Sequence, residues 1–184
     1  MAEETKDLSL QEEYQLWRKN CRYMYEFVAE TALTWPSLTV QWLPTNITSS
    51  TDVIDAKLLL GTHTSGDDTD YLKVANTQLP KHKGVNVVSK IKISKKFRNS
   101  AEINRARYQP QNPDIDARIN GKGYVDLYNI DNRESGGASF KQLHSHLETG
   151  YDISWNLHRS GYLATSSDDK SIDVSDIEKK VSVY

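Results

Sequence analysis

The chain has 184 residues, 37% hydrophobic and 26% charged, with a formal net charge of −2 at pH 7, which on length is one ordinary domain of about 100–200 residues. That charge gives no bulk electrostatic drive towards nucleic acid. No window approaches the ~18 consecutive apolar residues of a membrane span, and a single cysteine, Cys21, excludes an internal disulfide.

Residues 1–9 are polar and are expected to be disordered. From residue 10 to 34 the pattern predicts an amphipathic helix, with Leu10, Tyr14, Trp17, Cys21, Met24, Tyr25 and Val28 at steps of three and four. Ser9 with Glu12 forms a candidate capping box at its start, and Trp35-Pro36 enforces an extended exit. Residues 35–184 then change to period two. Leu38, Val40 and Trp42 alternate with polar neighbours, and Leu58–Leu60, Tyr71–Val74, Val87-Val88 and Ile91–Ile93 are further short strands. Thr77–Val85, with Pro80 and Gly84, is expected to be a loop.

The strand region repeats itself. An ungapped offset of 47 lays residues 107–130 on 154–177, so that Tyr108 falls on Trp155, Ala117 on Ala164 and Val125–Ile130 on Ile172–Ile177. Gly121-Lys122 lands on Asp168-Asp169, and a looser copy starts at Gln41-Trp42-Leu43-Pro44. Strand, turn, strand, tight polar turn, strand, at a period near ~40–45 residues, is the layout of a propeller blade. The predicted fold class is mainly β: an incomplete WD-repeat propeller of about two blades, with repeats near 102–130 and 146–177, preceded by one helix.

Catalytic readings find little support. Gly121-Lys122-Gly123 is a strand-connecting turn rather than a phosphate loop, and His144 and His146 lack further ligands at zinc spacing. Cys21 falls on the apolar helix face, where a thiol is usually inert. No cofactor or metal is expected.

Five ordered segments carry a resemblance: Glu12–Asn20, Leu33–Pro44, Leu60–Ser65, Glu102–Pro113 and Gly150–Asn156. They resemble the opening of the histone-binding WD-repeat family, which includes the retinoblastoma-binding proteins and subunit 2 of the type B histone acetyltransferase. The resemblance covers about residues 10–177, and Ile119–Gly123 inclines towards the acetyltransferase branch. It implies a non-catalytic scaffold that binds histone H4 and possibly H3, partners a catalytic acetyltransferase subunit or other chromatin subunits, contacts no nucleic acid or membrane directly, and works in nucleus and cytoplasm.

The resemblance also implies two surfaces. One wall of a groove for an H4 helix matches Tyr23, Met24, Phe27 and Val28, where apolar anchors and an adaptable Met suit a helical partner; the same side chains would otherwise pack on their own propeller. An acidic top face for basic peptides matches His63, Glu102, Asn104, Arg105 and Tyr151, because carboxylates bond Lys and Arg strongly; otherwise Glu102 is a solvated loop residue. Thr149 stands where the family has a further carboxylate, with Glu148 beside it. Ser175-Asp176 replaces the usual Trp-Asp, leaving His146 and Asp169 from the set that ties a blade together. Asp126 and Asp173 fall mid-strand, which implies either exposure at an open edge or a weakened blade. Two rivals remain: a truncated product without independent activity, and a general peptide-binding WD module.

Overall fold

The computed structural model describes residues 9–44, 52–85, 87, 90–131 and 139–179. Val88 of the expected Val87-Val88 strand lies outside them, as do residues 1–8. Among the described residues there is one helix, α1 (Leu10–Met24), and eleven strands in three antiparallel sheets.

α1 starts where expected. Ser9 Oγ accepts the Glu12 amide at 3.4 Å, while the Glu12 carboxylate accepts the Ser9 amide at 2.9 Å, closing the capping box. It ends ten residues before the expected limit of 34. Tyr25 is extended (φ −127°, ψ 144°), and the following segment turns back along the helix, where Glu30 accepts from Tyr14 and pairs with Arg18 at 2.9 Å. Tyr25, Phe27 and Val28 are aromatic or β-branched and favour helix weakly. Their apolar spacing is satisfied by a fold-back instead of a longer helix. No residue of α1 is buried.

The first sheet orders β1 (Val40–Leu43), β2 (Val53–Leu60), β3 (Tyr71–Pro80) and β4 (Lys92–Arg98). Here β3 runs through Thr77–Pro80, paired with Val53–Ala56, so the first part of the expected 77–85 loop is strand; Pro80 is tolerated because it is the last residue. The second sheet orders β5 (Ile103–Gln109), β6 (Asn112–Asn120), β7 (Tyr124–Asn129) and β8 (Lys141–His144). The third holds β9 (Gly150–Trp155), β10 (Tyr162–Ser167) and β11 (Ile172–Asp176). Three blade-like sheets therefore stand where about two blades were expected. The first was visible in the sequence only as the loose copy at Gln41, because its strands β2 and β3 are longer than their counterparts.

The sheets stack face to face. Leu43, Leu59, Leu72, Val74 and Phe97 of the first meet Ile103, Ala106, Tyr128 and Ile130 of the second. On the other face of the second, Ala117, Ile119, Val125 and Leu127 meet Ile153, Trp155 and Leu163 of the third. Side chains also stitch the inner strands. Thr39 Oγ1, just before β1, accepts the Ala106 amide at 3.1 Å, Gln41 Oε1 accepts the Tyr108 amide at 3.0 Å, and the Trp155 indole donates to the Arg107 carbonyl at 2.8 Å. Tyr108 and Trp155, the positions joined by the offset of 47, thus serve as equivalent inner-strand anchors.

Candidate functional site

Five loops gather at one edge of the stack: β2–β3, β4–β5, β6–β7, β8–β9 and β10–β11. Backbone and hydroxyl bonds link them in series. The Ile103 amide donates to the Thr62 carbonyl at 3.2 Å, Gly121 to Glu102 at 3.3 Å, Thr149 Oγ1 to Gly121 at 3.1 Å, and Asp168 to Thr149 at 3.0 Å. Thr149, which replaces a carboxylate, is therefore a structural link in this chain.

The structure places all five sequence-predicted top-face residues at or next to this edge. His63 is half-buried, its amide bonded to the Pro36 carbonyl at 3.0 Å and Nδ1 3.3 Å from Ser65 Oγ. The Glu102 carboxylate lies over Gly121, where any Cβ would collide with it. Asn104 Nδ2 donates to the Gly150 carbonyl at 2.8 Å, and Arg105 pairs with Asp152 at 2.9 Å. Tyr151, half exposed, donates to Asp168 Oδ2 at 3.1 Å, and that bond to a carboxylate raises its phenol pKa. Asn104 and Arg105 are thus already engaged across the second and third sheets. They hold that joint, while Glu102 and Tyr151 keep free surface.

Sequence reasoning missed several acids here. Asp67, Asp68 and Asp168 are exposed on the same edge, and Asp168 could have been found because the repeat offset sets it on Gly121. Asp68, Asp70, Glu102 and Asp126, with Arg98 and Lys122, line a cleft of about 780 Å³ between the first and second sheets. Carboxylates outnumber cations around this edge, which suits a basic peptide.

The third sheet is tied without a Trp. His146, buried, has Nε2 2.8 Å from Thr165 Oγ1 and Nδ1 3.0 Å from Ser171 Oγ and 3.2 Å from Asp169 Oδ2. Asp169 also accepts the Leu147 and Ser171 amides and the Ser171 hydroxyl. The Ser171 hydroxyl first, and these amides, hold its carboxyl far below the usual range. Ser175 donates instead to Asp173 at 2.8 Å. The expectation that Asp126 and Asp173 either face water or weaken the blade is corrected in its first half: both are buried. Asp126 accepts from Gln142 at 2.7 Å, and burial raises its pKa.

The second predicted surface is split by the end of α1. Tyr23 and Met24 lie in its last turn, 75% and 64% exposed, while Phe27 and Val28 follow it in the irregular segment. Trp17 stacks on Tyr14 at 5.8 Å between centroids and stays partly exposed. Cys21 is half-buried, its thiol bonded to the Arg18 carbonyl at 3.1 Å. The helix offers its apolar face to solvent over its whole length.

Comparison with known proteins matches residues 12–81 to the family model for histone-binding protein RBBP4 and its counterpart in the CAF1 complex. Curated relatives named histone acetyltransferase type B subunit 2 include those of Debaryomyces hansenii (55% identical over 95% of this chain), Candida albicans (55% over 94%) and Schizosaccharomyces pombe (36% over 92%). The chain spans 44% of the length of each of these relatives. Among solved structures, a chain of a humanised Chaetomium thermophilum Polycomb Repressive Complex 2 aligns over 76% of this chain and 27% of its own, with TM-score 0.52 and 14% identity. The WD40 domain of Toxoplasma gondii coronin aligns over 68% and 31%, with TM-score 0.51 and 18% identity. At such identities these two bear on the fold alone, a WD-repeat propeller architecture.

Proposed function

The chain belongs to the histone-binding WD-repeat family, matching its N-terminal part, and from that membership we propose that it is a non-catalytic histone-binding scaffold of a type B histone acetyltransferase. It holds histone H4 through the α1 surface, takes a basic tail such as that of H3 on the acidic loop edge, and presents both to a catalytic partner. The proposal includes work in the nucleus and the cytoplasm, the two compartments that newly made histones cross.

One observation carries the reading. α1 leaves Tyr14, Trp17, Tyr23 and Met24 unburied, and an apolar helix face kept in water is the surface that a helical partner covers. Acetylation of H3–H4 by a type B catalytic subunit, measured with and without this chain, tests the scaffold role. A lowered KM for histone is the expected result. An unchanged KM with demonstrably folded chain rejects presentation, and equal affinity for a scrambled H4 peptide would favour the general peptide-binding module.

A further inference from the structure

Charge is distributed unevenly along this chain. Residues 71–101 contain eight of the 23 Lys and Arg and none of the 25 Asp and Glu. That segment is β3, β4 and their connection, and β4 is the outer strand of the first sheet: among the described residues no strand pairs with its far edge.

Lys90, Lys92, Lys96 and Arg98 are exposed there, and none forms an ion pair among the described residues. Lys96 and Arg98 flank Phe97, which is buried against the second sheet, so both cations stand on the opposite face, about 7 Å apart by strand geometry. Lys73 of β3 sits directly across from Lys96 in register. Like charges so placed repel. Burial first, and then Lys96, lowers the Lys73 pKa. Lysine on an edge strand guards against edge-to-edge aggregation, but that purpose needs neither an opposed lysine pair nor a 31-residue window without one carboxylate.

We propose that the β4 edge binds an acidic, extended polypeptide segment of a partner protein, which adds to the first sheet as a further strand. Backbone groups along the free edge supply hydrogen bonds, as in other strand additions. Carboxylates at alternate positions of the incoming strand meet Lys96 and Arg98, because the spacing is that of one strand against another. A nucleic acid fits less well. The remainder of the chain carries 15 cations against 25 carboxylates and repels a long polyanion. The one aromatic ring on this face, Tyr71, already lies under Lys96 at 5.9 Å, so no open stacking platform serves single strands.

The test uses fluorescence anisotropy of a labelled peptide of alternating Glu and Val, titrated with the 184-residue chain at low and high salt. A peptide of alternating Gln and Val, an N-methylated copy of the acidic peptide and a DNA duplex serve as competitors. Salt-sensitive binding of the acidic peptide is expected. It should weaken more than about tenfold in K92E/K96E/R98E and less in the matching Gln variant, since each exposed pair contributes modestly, and N-methylation should abolish it. Equal binding by a charge-reversed variant with unchanged circular dichroism, equal binding by the N-methylated peptide, or tighter binding of the duplex would each overturn the proposal.

Discussion

The guanidinium carbon of Arg118 lies 3.1 Å from the centroid of the Tyr128 ring, fully buried between the first and second sheets. Asp116 is its nearest carboxylate, with Nε and Oδ2 3.8 Å apart and no hydrogen bond closing the pair. Burial pushes the Asp116 carboxyl up to about 7 and lowers Arg118 to about 10, with each charge partly restoring the other. The offset of 47 sets Arg118 on Thr165 and Tyr128 on Ser175, so a cation–aromatic pair in the second sheet occupies the positions that bond to His146 and Asp173 in the third.

This pair predicts an unusual pH response. A carboxyl whose pKa is raised by folding contributes stability below its unfolded pKa of about 4 and loses it as pH rises through about 7. Thermal melts should therefore show Tm falling between pH 5 and 8. Arg118→Ala alone should destabilise by about 3–5 kcal/mol, while Arg118→Met with Asp116→Leu should be close to neutral and should flatten that pH dependence. A flat profile in the parent chain would remove Asp116 from this role.

The His146 cluster behaves in the opposite sense. Asp169, held ionised by Ser171, contributes stability above about pH 4 that is lost in more acid solution. Asp169→Ala should lower Tm at pH 7 and narrow the gap to wild type as pH falls below 4. Thr165→Val, which unmakes the 2.8 Å bond to His146, should cost about 1 kcal/mol by urea melts. Unchanged melts in both variants would show that the cluster does not tie the third sheet.

Gly123 has φ +77°, and a Cβ there would run into the carbonyl oxygens of His146 and Glu148. Gly123→Ala should cost about 1–3 kcal/mol by combining left-handed strain with a backbone clash. Because the β8–β9 loop must shift, tail-peptide affinity should fall as well. Wild-type stability in this variant would mean the loops are looser than their hydrogen bonds imply.

Glu102 should hold a basic tail. Rim charge pairs are screened over ~8 Å at physiological ionic strength, so affinity for an H3 tail peptide should drop as salt rises, while an H4 helix peptide should change little. Glu102→Lys should weaken the tail peptide further. Equal tail binding by that variant would return Glu102 to the status of a solvated side chain above Gly121.

Much of this molecule was legible in its sequence, and the limits have physical causes. The helix start was fixed by Ser9 and Glu12, and the second and third sheets by an ungapped repeat whose Tyr108 and Trp155 occupy the same inner-strand place. The helix end was missed because apolar spacing at Phe27 and Val28 is also met by a segment folded back through Glu30 onto Tyr14 and Arg18. The first sheet was half seen, since its long hairpin breaks the period of 47. At the loop edge, the resemblance found Glu102 and Tyr151. It could not tell that Asn104 and Arg105 spend their polar groups on Gly150 and Asp152, or that Asp126 and Asp173 are buried with partners. Those facts depend on how the sheets stack.

The account rests most heavily on α1 as a docking surface for H4, and titration calorimetry of an H4 helix peptide against the 184-residue chain tests that directly. Wild type should bind, and Met24→Asp with Phe27→Asp should weaken it by more than about 1 kcal/mol, over about 2 at a hot spot, with helix content unchanged by circular dichroism. Undiminished affinity in that variant, with the helix intact, would contradict the assignment.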